Sequence, residues 1–326
     1  MISIITPVYN NPQKLEKLLG SIKAANALHE VIVVDDCSSE DVKSVADKFE
    51  KVRYIRLDRH AGPSRARNAG AAEARGDFLI FFDSDVVLRP DVLKRFEEHF
   101  AASELAVVGE YDPEALGDGF FPKFKALLTE SWIPESRYIS IFALRAAGIR
   151  KDIFDNAGGF DENIKSASVE DYEFADKLSK LGVRIRYDPG ILVQHHHPGF
   201  LRQMKLFYLR ARDWVVVFIA RKGRFDNICA TRAEGVSSIS GAVFLLFLLP
   251  VFAGRQIMFL IPAIIAFILY CAANLNFLNI VVKRKGLFFV PIALLVKLPL
   301  SVSIAAGFAV GVLQSFLLPK SLRRQP

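Results

Sequence analysis

Short apolar runs alternate with helical patterns along the first 83 residues. The runs predict buried strands, and the segments between them repeat apolar residues every three or four positions, as amphipathic helices do. The predicted strands are Ile2–Val8, Val31–Val34, Val52–Leu57 and Phe78–Phe82. The predicted helices contain Leu15–Ile22, Val42–Phe49 and Ala61–Ala74. This alternation predicts an α/β fold with a parallel, doubly wound sheet and right-handed crossovers.

Polar residues collect where the predicted strands end. These segments are Thr6–Asn10, Asp35–Asp36 and Asp83–Asp85. Ligands of doubly wound sheets bind at the carboxyl ends of the strands. We therefore expect the three segments to form one binding site.

The chain beyond about Gly235 is almost continuously apolar. Its three apolar stretches are Val236–Ala253, Ile257–Val282 and Leu287–Leu318. Each is close to or longer than the ~18–20 residues that span a bilayer as a helix, so we predict about three transmembrane spans. The third stretch contains Lys297 and Pro299, which leaves a single long crossing or a bent hairpin open. We expect the single crossing, because the stretch is too short for two complete helices.

Composition narrows the classes of protein further. Apolar residues make up 52% of the chain and charged residues 24%, which excludes a disordered chain and a collagen. The three cysteines, Cys37, Cys229 and Cys271, are scattered and lack C-x-x-C spacing, so we expect neither a structural zinc site nor a disulfide framework. The chain begins directly with a strand pattern and without a signal peptide, so we expect the first domain in the cytoplasm.

The net charge of +7 raises the question of nucleic acid. The sequence has no zinc-finger, RNP-type or basic-zipper pattern, so we expect no nucleic-acid partner. Basic residues lie instead beside the apolar stretches, which predicts contact with anionic membrane lipids on the cytoplasmic side. These residues are Arg202, Lys205, Arg210, Arg212, Arg221, Lys222, Arg224, Lys283, Arg284 and Lys285.

The strongest chemical signal is the acidic pair Asp83 and Asp85, directly after a strand pattern. Two such carboxylates can hold a hard divalent cation, Mg²⁺ or Mn²⁺, that bridges a diphosphate. A D-x-D pattern alone also fits a solvated turn. Its context favours the functional interpretation, because three further segments precede it in order. They are Thr6-Pro7-Val8-Tyr9-Asn10, Val33-Val34-Asp35-Asp36-Cys37-Ser38 and Gly62-Pro63-Ser64-Arg65-Ala66-Arg67-Asn68-Ala69-Gly70.

These ordered motifs resemble the family-2 glycosyltransferases, which have the GT-A fold for nucleotide-diphospho-sugars, over about residues 1–200. The resemblance implies that Asp36 binds the base, usually uracil, that Arg67 faces the diphosphate and that Asp83 lies near the ribose. It makes Asp85 the metal ligand. The nucleotide-binding residues it implies are Thr6, Pro7, Tyr9, Asp36, Gly62, Arg67 and Asp83. Arg65, by contrast, is expected on a solvated helix face.

A second constellation comprises Asn156–Glu162 and Val169–Ala175. It resembles the G-G-F-D-E and E-D segments of the same family, in which the Asp of E-D is the general base. Transfer of a sugar to an alcohol requires such a base, because the hydroxyl proton must leave as the bond forms. The resemblance therefore implies Asp171 as the base and Glu170 as a supporting group. Acidic residues that stabilise a helix N-terminus are the alternative.

Three histidines, His195–His197, follow the second constellation. In the family a histidine beyond the E-D helix supplies the last metal ligand or a diphosphate contact, and the spacing favours His195. In an extended segment His197 lies on the same side as His195. A surface histidine tract is the alternative.

The segment Phe200–Arg224 combines aromatic, apolar and basic residues, which predicts a helix in the membrane interface. Processive polysaccharide synthases carry Q/R-x-x-R-W, and the nearest match here is Arg210-Ala211-Arg212-Asp213-Trp214. Asp213 stands where that motif has Arg. The departure argues against processive polymerisation.

The sequence predicts three domains: a GT-A domain at 1–199, an interfacial helix and linker at 200–235, and transmembrane helices at 236–326. The predicted protein is a multi-pass enzyme of the inner, cytoplasmic membrane with its catalytic domain in the cytoplasm. We expect an inverting, hexosyltransferase-type enzyme that moves a sugar from a nucleotide-sugar, UDP-linked, to a hydroxyl of a lipid-linked or cell-envelope glycan. A polyprenyl-phosphate glycosyltransferase is the nearest alternative. A nucleotidyltransferase and a non-catalytic membrane scaffold are alternatives from other classes.

Overall fold

The computed structural model describes residues 1–25, 29–117, 119–164, 169–220, 231–252, 254 and 257–317. The strands are β1 Ile2–Val8, β2 His29–Asp35, β3 Val52–Arg56, β4 Phe78–Phe82, β5 Val86–Leu88, β6 Ala106–Tyr111, β7 Tyr138–Ile139, β8 Ala146–Arg150 and β9 Ile185–His195. The helices are α1 Pro12–Ala24, α2 Lys43–Ala46, α3 Pro63–Glu73, α4 Val92–Ala101, α5 Phe120–Glu130, α6 Lys151–Asn156, α7 Glu170–Lys180, α8 Phe200–Ala220, α9 Arg232–Phe252, α10 Leu260–Ala273, α11 Leu275–Lys285 and α12 Val290–Leu317.

The chain divides into two compact units. The first unit comprises Met1–Gly117 and Ile133–His196, and the second comprises Asp118–Trp132 and His197–Pro326. This division differs from the predicted boundaries chiefly in α5, which belongs to the second unit. The phenylalanines of α5 are the reason, because Phe121 and Phe124 pack in one apolar cluster with Phe277 and Val281 of α11.

The first unit contains a mixed sheet with the strand order β3-β2-β1-β4-β8-β6-β9-β5, and β7 pairs with β9. The predicted parallel arrangement holds for β1 to β4, where Thr6 lies opposite Val33 and Ile4 lies opposite Ile80. Beyond these four strands the sheet is mixed, because β8 runs antiparallel to β4 and β5 antiparallel to β9. The direction of a strand depends on the path of the chain that leads into it. A strand buried on both faces has the same continuous apolar pattern whether it runs parallel or antiparallel, so the pattern does not reveal its direction.

Helices cover both faces of the central strands. Ile4 of β1 packs in one cluster with Leu15 and Leu18 of α1. On the other face, a Cβ added to Gly70 of α3 would lie 2.6 Å from Ile5 Cγ2, so this glycine lets α3 lie close to β1. The first turns of α1 and α3 therefore lie beside the carboxyl ends of β1, β2 and β4, where the candidate site residues are.

The second unit contains the apolar helices. Helix α9 and the segment Leu287–Phe316 are each long and apolar enough to cross a membrane. The third apolar stretch forms the single continuous helix α12 across Pro299, which confirms one helix in place of a hairpin. The second stretch is not one straight span: α10 and α11 are bent by 66° at Asn274, and they make a third span only if the pair is counted as one.

A buried polar cluster within the second unit contains both Lys297 of α12 and Asn274, the residue at the bend between α10 and α11. Lys297 Nζ lies 2.8 Å from Glu234 Oε1 of α9 and also donates to Asn274 Oδ1. Trp132 Nε1 donates to the same Glu234 oxygen at 2.9 Å. An ionisable residue in an apolar helix requires such partners, because an unpaired charge there is costly.

Helix α8, in the same unit, forms in the segment predicted as an interfacial helix. It packs along α12 through two glycines, because a Cβ at Gly307 or Gly311 would collide with the carbonyl oxygen of Tyr208 or Arg212. Small residues four positions apart allow this close helix contact. The basic residues Arg221, Lys222 and Arg224 lie outside the described residues.

Candidate functional site

A buried arginine joins two of the predicted acids. Arg67 of α3 is 3% exposed, and its Nη2 donates to Asp83 Oδ1 at 2.7 Å. Its Nη1 lies 3.3 Å from Glu170 Oε1, in the first turn of α7. Along the chain Arg67 is 16 positions from Asp83 and 103 positions from Glu170, and the structure brings all three residues together.

The environment of Asp83 opposes its ionisation. Burial raises the pKa of the Asp83 carboxyl, and the nearby charges of Asp85 and Glu170 raise it further, while Arg67 acts against them. A carboxyl that depends on one arginine for its charge is sensitive to any new charge placed beside it. An anion bound to Arg67 would therefore directly affect the ionisation of the Asp83 carboxyl.

Asp85 lies in a different environment, close to basic groups. Its Oδ2 is 3.3 Å from His195 Nε2 and 3.7 Å from Lys14 Nζ of α1. Burial alone would raise the pKa of Asp85, but the hydrogen bond and charge of His195, together with Lys14, hold it below the usual value. Asp85 is thus an ionised carboxylate near neutral pH, as a metal ligand must be.

Asp36 organises the loop between β3 and α3. Its two carboxylate oxygens accept hydrogen bonds from the backbone N–H groups of Ala61 and Gly62, each at 2.8 Å. Gly62 has φ = +94°, a conformation that favours glycine, and it precedes the first residue of α3. His60 Nδ1 lies 2.8 Å from Asp36 Oδ2.

An aromatic pair covers this acid. The rings of Tyr9 and His60 stack with centroids 4.0 Å apart, and about half of each side chain is exposed. Such a surface suits the flat face of a nucleobase. Tyr9 was predicted for the base pocket, whereas His60 was not singled out from the sequence.

Several buried polar atoms near these strand ends have no hydrogen-bond partner within the described part of the chain. They are Thr6 Oγ1, Ser64 Oγ and Arg67 Nε. Thr6 and Pro7 are both buried in β1, and Ser64 lies in the first turn of α3. Buried polar groups normally find partners, so these three atoms indicate a polar ligand.

Asp171 differs from its neighbour Glu170 in exposure. Glu170 is buried against Arg67, whereas Asp171 is half-buried in the first turn of α7. Asp171 Oδ1 accepts from the Tyr172 backbone N–H at 2.9 Å, and its carbonyl accepts from Phe142. Asp171 is therefore held by its backbone contacts while its side chain stays partly exposed.

The two glycines before this helix allow the backbone to approach α3. Gly158 and Gly159 have φ = +75° and +66°, and a Cβ on Gly159 would lie 2.7 Å from Asn68 Oδ1. Asn68 also bonds the backbone of Phe160 in both directions, at 2.9 Å. Gly159 therefore lets the backbone before α7 lie close to Asn68 of α3.

The histidine tract divides between the two units. His195 ends β9 beside Asp85, and His196 donates its backbone N–H to the Asp85 carbonyl at 3.2 Å. His197 belongs to the second unit, so its place on the same side as His195 stays a prediction. Arg65 pairs with the exposed Asp58 at 3.3 Å, as a helix-face residue would.

A divalent metal is compatible with part of this site. The described residues contain no group of three or more His, Cys, Asp or Glu that could hold a metal ion. Asp85 and His195 offer two donor atoms near each other. Mg²⁺ is commonly bound by one or two protein carboxylates, with substrate phosphates and water completing the shell, so two protein donors fit a metal–diphosphate complex.

Comparison with known proteins identifies the class as glycosyltransferases. Residues 3–164 match the family model for glycosyl transferase family 2. The chain is 30% identical over 244 residues to the pre-mycofactocin glycosyltransferase of Mycobacterium tuberculosis, covering 71% of this chain and 47% of the relative. It is 27% identical over 207 residues to the poly(ribitol-phosphate) beta-N-acetylglucosaminyltransferase TarS of Staphylococcus aureus, covering 57% and 35%. The chain thus spans about half or less of these relatives.

Solved structures confirm the fold. The mannosyltransferase PcManGT from Pyrobaculum calidifontis, in complex with GDP-Man and Mn²⁺, aligns with a TM-score of 0.53 at 18% identity, covering 99% of this chain and 81% of that one. S. aureus TarS in complex with UDP-GlcNAc aligns with a TM-score of 0.50 at 18% identity, covering 97% and 91%. The chain therefore carries a domain that matches glycosyl transferase family 2 over residues 3–164 and has the GT-A fold.

Proposed function

We propose that this protein is a membrane-anchored, metal-dependent, inverting glycosyltransferase. It moves one sugar from a nucleotide-diphospho-sugar, UDP-linked, to a hydroxyl group of a lipid-linked or cell-envelope glycan. The observation that supports this most is the buried Arg67, which joins Asp83 of the D-x-D segment to Glu170 of the E-D segment. Arg67 thus joins the donor site to the E-D segment that carries the proposed base, Asp171.

Binding of the nucleotide-sugar is explained by positive charges and by hydrogen-bond donors at the first turn of α3. Arg67 offsets the negative charge that develops on the leaving diphosphate. The unpartnered Ser64 hydroxyl group lies in the first turn of α3, where backbone N–H groups also favour anions. A divalent metal bound at Asp85 and His195 would neutralise further phosphate charge. Tyr9 supports the base, and Asp36 holds the loop beside it.

The acceptor side requires a base, and Asp171 suits this role better than Glu170. Glu170 is buried and pairs with Arg67, whereas Asp171 is half-buried in the first turn of α7 and so more accessible to an acceptor hydroxyl group. A phosphate acceptor is already an anion near neutral pH and needs no base. The E-D arrangement therefore favours a hydroxyl acceptor over the polyprenyl-phosphate alternative, and the family match favours a glycosyltransferase over a nucleotidyltransferase or a scaffold.

Cell-envelope acceptors are supported by the relatives. TarS is named for transfer to poly(ribitol-phosphate), and another relative is the succinoglycan biosynthesis protein ExoO of Rhizobium meliloti. Two helices able to cross a membrane would keep the enzyme beside such an acceptor. Purified protein in detergent, incubated with a panel of nucleotide-sugars and Mn²⁺ or Mg²⁺, should release a nucleoside diphosphate with one donor. Absence of release with every donor would contradict the proposal.

The Asp85→Ala variant is expected to lose metal-dependent donor binding, because it removes the carboxylate that joins protein to the metal–diphosphate complex. Calorimetric titration of UDP with and without Mn²⁺ measures this. Asp47→Ala is the control, since Asp47 makes an exposed ion pair with Lys43 on the surface of α2. Unchanged metal-dependent affinity in Asp85→Ala would remove Asp85 from the metal site.

The orientation of the membrane helices gives a separate prediction. Nucleotide-sugars are made in the cytoplasm, so the Lys283–Lys285 cluster should be inside, in line with the positive-inside bias. In a cysteine-free background, Arg284→Cys should be protected from an impermeant reagent in intact cells. Arg255→Cys and Leu322→Cys, at positions outside the described residues, should react. Labelling at 284 would reverse the whole orientation, whereas protection at 322 would overturn only the last crossing.

A further inference from the structure

Helix α1 presents two lysines beside the D-x-D segment. Lys14 Nζ lies 3.7 Å from Asp85 Oδ2, the same oxygen that His195 approaches at 3.3 Å. Lys17 lies on the same helix face as Lys14, because it is three residues further along α1. Its side chain is exposed. Neither lysine belongs to the motifs that define the donor site described above.

His196 adds a polar atom to this group. Its Nε2 is buried and has no hydrogen-bond partner among the residues that the structure describes. The backbone N–H of His196 donates to the Asp85 backbone carbonyl oxygen at 3.2 Å, which places this residue beside Asp85.

Positive charge exceeds negative charge around Lys14, Lys17 and Asp85. Asp83 is paired with Arg67, and Glu16 of α1 is paired with Lys48 at 2.7 Å. Within the described part of the chain, no carboxylate lies within ion-pair distance of Lys17, and Asp85 is shared between Lys14 and His195. A concentration of cations beside one shared carboxylate attracts an anion.

We propose that Lys14, Lys17 and His196 form a phosphate-binding subsite on the α1 side of Asp85. The subsite deepens the proposed function and rests on it for the origin of the phosphate. That phosphate belongs either to the diphosphate of the donor or to a phosphate group of the acceptor. The chemistry is the same in both cases: lysine ammonium groups donate charge-assisted hydrogen bonds to phosphate oxygens.

The geometry implies competition between Lys14 and a divalent cation. Both would use the Asp85 carboxylate, so a cation held there would compete with the Lys14 ammonium group for it. Removing the lysine charge should therefore strengthen Mn²⁺ binding to the free protein and weaken phosphate binding. A lysine that served only as an ion-pair partner of Asp85 would not produce these opposite effects.

The test uses the full-length protein in detergent and the variants Lys14→Met, Lys17→Met and Lys14→Arg. Lys94→Met is the matched control, because Lys94 also lies 3.7 Å from a carboxylate, Glu98, but on the exposed surface of α4. Calorimetry measures Mn²⁺ alone, UDP at saturating Mn²⁺, and inorganic phosphate with and without saturating UDP and Mn²⁺. The thermal midpoint of unfolding shows whether each variant is folded.

We expect Lys14→Met to bind Mn²⁺ more tightly and to lose roughly 10-fold in phosphate affinity, the usual worth of a hydrogen bond to a charged group. Lys17→Met should lose less, and Lys14→Arg should retain phosphate binding. A 10-fold loss of UDP affinity at saturating Mn²⁺ assigns the subsite to the donor. If UDP affinity is unchanged but the UDP-saturated protein loses inorganic phosphate binding, the subsite belongs to the acceptor.

The subsite is overturned if folded Lys14→Met binds UDP and inorganic phosphate as the wild type does. It is also overturned if Lys94→Met causes the same loss. Failure of the proposed function gives a different result: no nucleotide-sugar is turned over and no nucleoside diphosphate binds. In that case inorganic phosphate binding that depends on Lys14 would still support the subsite by itself.

Discussion

The Asp171→Asn variant is expected to transfer sugar at least ~10²-fold more slowly than the wild type, while its affinity for UDP stays nearly unchanged. The reason is that a positioned general base is worth about 10²–10⁴-fold in rate, and asparagine cannot accept the hydroxyl proton. Asp171 Oδ1 accepts from the Tyr172 N–H, whereas Arg67 pairs with Asp83 and Glu170, so the donor site should remain intact. Product formation under saturating donor and UDP titration measure the two quantities separately.

Two further measurements make this result specific. Asparagine retains the side-chain oxygen that accepts from Tyr172, so the thermal midpoint should change little. Asp176→Asn serves as the control, because it removes a carboxylate from the same helix about one turn before its end. Normal turnover of Asp171→Asn with the natural acceptor would remove Asp171 from the mechanism and support a phosphate acceptor.

The Arg67→Met variant is expected to lose donor binding and to be destabilised by about 3–5 kcal/mol, the usual effect of removing one partner from a buried ion pair. Glu170 accounts for most of the loss, because it is 5% exposed and would stay buried without its cation. The side chain of Asp83 is about one-third exposed, so water compensates part of its charge. Thermal unfolding in detergent and UDP titration measure the two effects.

A second substitution separates stability from function at this position. Arg67→Met with Glu170→Gln removes both charges of the more buried pair, so it should recover much of the lost stability without recovering UDP binding. Arg65→Met is the control on the same helix, since Arg65 pairs only with the exposed Asp58. Recovery of UDP binding in the double variant would show that Arg67 orients Glu170 and does not contact the diphosphate.

The positions of the central strands could be predicted from the sequence. The observed bounds of β1 and β4 equal the predicted ones, because each is a short, mainly apolar run with turn or acidic residues after it. The carboxyl end of β4 was therefore known, and with it the place of Asp83 and Asp85, while the apolar run of β2 gave the place of Asp36. The family resemblance then supplied the expected partners from α3 and α7.

Other features depend on residues that are distant in the sequence. The antiparallel direction of β8 depends on the path of the chain, which the apolar pattern does not record. Asn274 breaks the second apolar stretch because its side chain bonds Ser237 and Lys297 on two other helices. His60 and Lys14 carried no recognisable motif, and only their neighbours Tyr9 and Asp85 identify them as site residues.

The sequence by itself determined the class of fold, the family, the apolar helices and the acids at the strand ends. These follow from local periodicity and from motifs whose residues are close together along the chain. Only the tertiary structure decided which charges meet: Arg67 with Asp83 and Glu170, and Asp85 with His195 and Lys14. The physical reason is that an ion pair depends on distances of a few ångströms between side chains on separate elements, and such distances exist only after the sheet and its helices have packed.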